Sequence, residues 1–247
     1  MTQPMKSKTG PILGVYLTGL IIGGLYMGMV SPARTVIQNG FGIDDVAGIW
    51  MINIYSLFYA ALIPIIGKLA DRRGRKIVFT ICVGIFGAGS LVCGLSAAAG
   101  SFGLLLAGRV LQAAGAGGMI PVANAEIGTT FPPEKRGAAL GMAAAVTGIA
   151  NVLGAGVGSA IIGIAGPENW AVMFYASVPF CIALIAGAAA VLPNRTAPAS
   201  TPMDLAGSVV FALFVLMLLL GLKDIDFFDF AETIVRPAAW VPLLVAV

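Results

Sequence analysis

The sequence predicts an all-α polytopic membrane protein, and three observations carry that expectation. Hydrophobic residues make up 59% of the chain and charged residues only 10%, whereas a soluble domain averages roughly 45–50% apolar and about 25% charged. The apolar residues fall into successive runs, each reaching the roughly 20 residues that a spanning helix requires. The connections between these runs are short and hold most of the charge. So much apolar surface cannot be hidden in one aqueous core, and lipid is its natural solvent.

Six runs come first, over about 11–31, 46–69, 77–99, 102–129, 136–165 and 170–192. The first follows Lys6 and Lys8, as a cleaved signal would. Pro11 to Val30 is nevertheless about 20 residues, long for a signal core and long enough to span. It is therefore read as a retained helix. Residues 1–192 are expected to form an amino-terminal six-helix bundle. Residues 193–203, PNRTAPASTPM, are a polar, proline-rich linker. The remainder, 204–247, holds an extra span over about 204–222, an acidic loop from Lys223 to Thr233, and an eighth span that stops after about ten residues. No helix that short crosses a bilayer, so a carboxyl-terminal bundle is expected to be missing.

Charge sets the expected orientation. Lys6 and Lys8, the Arg72–Lys76 cluster, Lys135 with Arg136, and Arg195 fall on alternate connections and so share one side. Asp44, Asp45, Glu168 and the Asp224–Glu232 loop fall on the other. The positive-inside rule then places the amino terminus in the cytoplasm of a multi-pass cell-membrane protein. On that side Asn194, which opens a glycosylation sequon, should stay unmodified.

Composition also excludes. The net charge of +3, with no basic stripe interleaved with aromatics, argues against nucleic acid. There is no histidine, and Cys82, Cys93 and Cys181 lie apart in apolar runs, so a metal site or other cofactor is not expected. Without a nucleophile–base pair or a clustered acidic pair in the spans, neither is an enzyme. The 33 glycines fall partly in small-xxx-small pairs: Gly19 and Gly23, Gly24 and Gly28, Gly137 and Gly141, Gly154 and Gly158. In lipid, close backbone packing through such residues holds helices together.

One short stretch concentrates the charge. GKLADRRGRK, Gly67 to Lys76, holds five of the chain's 14 cations and one of its 11 acids. Gly67 is expected to end the second helix and admit a neighbouring backbone. Asp71 is expected in the tight connection, accepting from free amides at the start of the third helix. Gly74 permits a left-handed turn. Arg72 adds charge, and Arg75 and Lys76 can pair with acids or with carbonyls at a facing helix end.

In order and position these residues resemble the signature of the major facilitator superfamily, G-x-L-a-D-r-x-G-r-k, which lies between the second and third helices. The resemblance implies a six-helix amino-terminal bundle of two inverted three-helix repeats, plus one extra helix and the start of an eighth. It also implies that Gly67, Asp71, Arg72, Gly74, Arg75 and Lys76 form a cytoplasmic gate that latches two bundles.

Further stretches extend it. W50-MINI-Y55-SL resembles the second helix of exporters in this superfamily, and GRVLQAAGAGG resembles its R-x-x-Q-G motif. Arg109, Gln112, Ala116, Met119, Ala123 and Glu126 recur at three and four, so they share one helical stripe. Arg109 lies roughly 10 Å into its helix, where a charge either faces water or a partner or snorkels to the interface. Glu126, about 25 Å further along, is either a loop-paired carboxylate near the mouth or a proton acceptor. TGIANVLGAGVGS resembles the antiporter motif, keeping Gly154 and Gly158 but replacing its proline by Ala155. Asn151, in the same stretch, joins Arg109, Gln112 and Glu126 as a candidate for the cavity and for proton coupling. Trp170, Phe174 and Pro179 resemble a sixth-helix motif. Asp204 to Gly207 resemble the entry to the extra helices of the fourteen-helix drug/proton antiporter subfamily.

The resemblance implies a transporter of a small-molecule substrate with protons, working by alternating access. No G-x-x-x-x-G-K-[ST] loop is present to use a nucleotide. Proton-coupled efflux of amphipathic drugs or metabolites is the leading expectation. An uptake permease of the same superfamily, or a non-transporting half that pairs with another chain, are the alternatives.

Overall fold

The computed structural model describes residues 9–193, 205–223 and 241–242. Most of the linker, nearly all of the acidic loop and most of the expected eighth span lie outside the described residues. Among the described residues the fold is helical, without strands. Its elements are α1 (Thr9–Phe41), α2 (Asp45–Arg73), α3 (Arg75–Ala99), α4 (Phe102–Thr130), α5 (Pro133–Ala165), α6 (Val172–Tyr175), α7 (Ser177–Val191) and α8 (Leu205–Lys223), with a 3-10 turn at Pro167–Asn169. The segment Val172–Val191 makes one span, so six helices among the described residues are long and apolar enough to cross a membrane. It breaks after Tyr175 because Pro179 lacks the N–H that would bond the Tyr175 carbonyl.

The helices outrun the apolar stretches that announce them. At 33 residues α1 is about 50 Å long, well beyond a hydrocarbon core of about 30 Å. Its last turns stay helical because Ala33 and Ile37 are buried and its polar residues find partners on α2. Arg34 lies 3.6 Å from the Asp45 carboxylate, and Gln38 donates to the Asp44 carbonyl and Asp45 Oδ1, each at 3.1 Å. Asp44 caps α2 by accepting from Ala47 N at 2.8 Å. Between α3 and α4, Gly100 takes the left-handed conformation (φ 59, ψ 26) that a side chain would resist. Ser101 then caps α4.

Burial on α3 follows the helical period. Phe79, Val83, Phe86 and Cys93 face inward, while Ile77, Ile81, Leu91 and Leu95 face out. Tyr16 and Tyr26 of α1 meet Phe79 and Phe86 edge-on, with centroids 4.9 and 5.6 Å apart.

The closest helix pairs meet through glycine. On the α1–α5 seam, a Cβ at Gly24 would stand 2.6 Å from the Thr147 carbonyl oxygen, and one at Gly28 would overlap that of Asn151. Reciprocally, a Cβ at Gly154 would overlap the Leu25 carbonyl, and one at Gly158 would stand 2.7 Å from that of Met29. The α3–α4 seam is built the same way, with Gly89, Gly108 and Gly115 each against facing backbone. Gly137 and Gly141 have the same spacing but nothing within 4 Å of an added Cβ.

The pairings fit an inverted repeat of three helices. Exchanging the first three spans with the last three turns α1 on α5 into α4 on α2, and both pairs pack. The same exchange relates α3 on α4 to α1 on α7, though the first of these is far more extensive. It also relates α2 to α5, the two least buried spans. The extra helix α8 packs along α2.

Candidate gate and buried arginine site

The GKLADRRGRK stretch is almost entirely helical. α2 runs through Gly67 and Asp71 to Arg73, and α3 starts at Arg75, so Gly74 alone forms the joint. Gly74 has φ 96 and ψ 132, backbone that L side chains rarely adopt, and its N–H bonds the Ala70 carbonyl at 3.0 Å. Gly67 therefore does not end α2, and an added Cβ there would meet nothing within 4 Å.

Asp71 departs from expectation too. The start of α3 has no side-chain cap. Asp71 lies in the last turn of α2, and its carboxylate is 3.7 Å from the Arg75 guanidinium one turn on. The sharp turn at Gly74 folds the first residue of α3 back beside the last turn of α2, so the cation reaches Asp71. Arg72 is half-buried, and among the described residues its Nε has no hydrogen-bond partner.

Arg75 gathers the end of α4. Its Nη1 donates to Glu126 Oε2 at 3.0 Å, to Thr129 Oγ1 at 2.6 Å and to the Ala125 carbonyl at 3.2 Å. Cation and helix C-terminus are complementary in charge as well as in hydrogen bonding. Glu126, 6% exposed, thus belongs with Arg75 at the end of α4 rather than with the residues around Arg109. Lys76, next in sequence, turns to another helix and donates to the Ala189 carbonyl of α7 at 2.9 Å.

The second cluster surrounds Arg109, which is 2% exposed. It neither faces open water nor snorkels. Its Nε donates to the Met51 carbonyl and its Nη1 to Gln112 Oε1, both at 2.9 Å. Its guanidinium lies 4.1 Å over the centre of the Tyr55 ring. Gln112 Nε2 donates to Ser90 Oγ at 2.7 Å, and Cys93 Sγ lies 3.7 Å from Gln112 Oε1. A buried charge is costly unless it is hydrogen-bonded, and here neutral acceptors and an aromatic face hold it. Tyr55 stacks in turn on Tyr59, nearly parallel at 6.0 Å. The rest of the stripe, Ala116, Met119 and Ala123, is fully buried.

The remaining candidates lie on the α1–α5 seam. Gly154 and Gly158 let α5 approach α1. Asn151 is half-buried on α5 and lends its carbonyl to the same seam. No hydrogen bond joins it to Arg109 or Gln112. Sequence reasoning missed Ser90, Cys93 and Thr129 as partners. It noted Tyr55 in the W50-MINI-Y55-SL stretch but missed its place against Arg109.

Six apolar spans, a one-residue charged joint and a buried arginine define a polytopic helical membrane bundle. The model of the Major Facilitator Superfamily matches residues 16–246, and the chain belongs to that superfamily. It is 33% identical over 228 residues to an uncharacterised MFS-type transporter, YfiU, of Bacillus subtilis (strain 168), covering 92% of this chain and 43% of that protein. It is 32% identical over 212 residues to the multidrug transporter protein MdtP of the same strain, covering 83% of this chain and 38% of MdtP. The fold matches the crystal structure of a bacterial homologue of the human lysosomal transporter Spinster, inward-facing and unoccupied. The TM-score is 0.66 at 20% identity, over 98% of this chain and 61% of that one. The chain thus spans less than half the length of these two curated relatives.

Proposed function

We propose that this chain is the amino-terminal part of a proton-coupled exporter of small amphipathic drugs or metabolites. The observation that carries the reading is the charged joint: Gly74 links α2 directly to α3, and Arg75 binds that joint to the end of α4. Such a bundle moves as one body, as alternating access requires. The open faces of α2 and α5 would receive the carboxyl-terminal bundle, with Gly67 offering a close approach. Asp71, whose side chain is 63% exposed, would take part in the gate there. The buried Arg109 would set the charge of the substrate path. The similarity to MdtP, named a multidrug transporter protein, supports efflux. The excess of cations on alternate connections supports a cell-membrane protein with its amino terminus in the cytoplasm.

The test is transport by the full-length protein in everted membrane vesicles with an imposed acid-inside pH gradient, using ethidium as the probe. Ethidium should accumulate, the accumulation should collapse with an ionophore that dissipates the gradient, and Asp71→Asn and Arg109→Ala should each abolish most of it. Absence of gradient-driven accumulation would sink the efflux reading. Gradient-driven loss of probe from preloaded vesicles would instead identify an uptake permease.

A further inference from the structure

The end of α7 has a gap in its hydrogen bonding that its own backbone cannot fill. An α-helix satisfies each carbonyl with the N–H four residues later, and its last carbonyls need other donors. The Ala188 carbonyl still accepts from Leu192 N at 3.1 Å. For the Ala189 carbonyl the donor would be residue 193, and residue 193 is Pro193, which has no N–H. Leu192 has already left the helix, at φ −74 and ψ 133, the extended conformation that a following proline imposes. The donor that reaches Ala189 comes instead from 113 residues away, as the Lys76 ammonium at 2.9 Å.

We infer that Lys76 is the C-terminal cap of the sixth span, standing in for the amide that Pro193 lacks, and that it fixes where the chain leaves the bundle. A cation suits the position, because the carbonyl end of a helix carries partial negative charge. Adjacent residues on a helix point about 100° apart, which is why Arg75 and Lys76 serve different neighbours. Arg75 binds the end of α4 and Lys76 the end of α7, so the first turn of α3 fastens two helix ends. The inference concerns the departure of the linker toward α8 and does not depend on what is transported.

The pairing of Lys76 with Pro193 makes a rescue experiment possible. Spin labels would be placed at Leu95, exposed near the far end of α3, and at Ala190, exposed at the end of α7. The full-length protein would carry alanine in place of Cys82, Cys93 and Cys181. In pulsed electron–electron resonance, Lys76→Met should broaden the distance distribution, and Lys76→Arg should leave it narrow. Lys76→Met with Pro193→Ala should restore it, because residue 193 then supplies the missing N–H. An unchanged distribution in Lys76→Met, or broadening that Pro193→Ala does not reverse, would overturn the inference. Should Lys76→Met not be recovered from the membrane, recovery of the double variant gives the same support and its failure the same refutation.

Discussion

Arg109 shows how a full charge is kept inside a membrane bundle without a carboxylate bonded to it. Its strongest partners are a backbone carbonyl and an amide oxygen, and the Tyr55 ring covers one face of the guanidinium. Among the described residues the buried Tyr55 hydroxyl has no hydrogen-bond partner. A buried unpaired hydroxyl costs about 1–3 kcal/mol, whereas a desolvated cation–π contact contributes about 2 kcal/mol. Tyr55→Phe should therefore leave the thermal stability of the full-length protein in detergent unchanged or higher. Tyr55→Leu, which removes the π face, should lower it. Equal losses in both variants would show that the hydroxyl matters and the ring does not. The depth of Arg109 was legible in the sequence from its distance along the helix. What holds it was not, because the Met51 carbonyl belongs to the backbone and every residue has one.

Helices in lipid gain nothing from hiding apolar surface from one another, so their contacts depend on fit. The α1–α5 seam is a reciprocal fit, with glycines of each helix set against carbonyls of the other. Gly154→Ala places a methyl against the Leu25 carbonyl and should destabilise the protein by about 1–3 kcal/mol, the usual cost of overpacking. Gly156→Ala, where an added Cβ meets nothing within 4 Å, should be neutral. Chemical unfolding of both variants compares them directly, and similar losses would remove the fit argument. Spacing in the sequence named Gly24, Gly28, Gly154 and Gly158 correctly as packing glycines. It named Gly137 and Gly141 on the same grounds, and they are open. Spacing tells which residues can admit a neighbour, while the neighbour comes from the fold. The charged stretch misled in the opposite way. Its polarity reads as a loop, yet outside the apolar layer charge does not break a helix, and α2 continues to Arg73.

For the whole molecule, six spans, their order and their boundaries within a turn or two were legible from the apolar runs; the largest exception is α1. The extension of α1 to Phe41 was hidden because its last turns are held by Asp44 and Asp45, residues that mark a connection by composition alone. The packing of α8 along α2 had no signal in the sequence, since an evenly apolar helix presents no face that names its partner. The inferred sidedness predicts a simple result. Lys135 and Glu168, both exposed and at the two ends of the α5 segment, should lie on opposite sides of the membrane. In intact cells a membrane-impermeant maleimide should label Glu168→Cys and not Lys135→Cys. The reverse pattern would invert the orientation.

The one-residue joint at Gly74 has a consequence for how such a gene can change. Two long helices that meet across a single position have no slack to absorb a gained or lost codon. One inserted residue would turn α3 by about 100° about its own axis, carrying Phe79 and Val83 away from the core and Ile77 and Ile81 toward it. It would also swing Arg75 and Lys76 away from the ends of α4 and α7. Substitutions along this stretch can be graded and local, but insertions and deletions strike every contact of α3 at once. The spacing of the charged residues is therefore constrained as a unit by the packing of α2 and α3 on either side of Gly74.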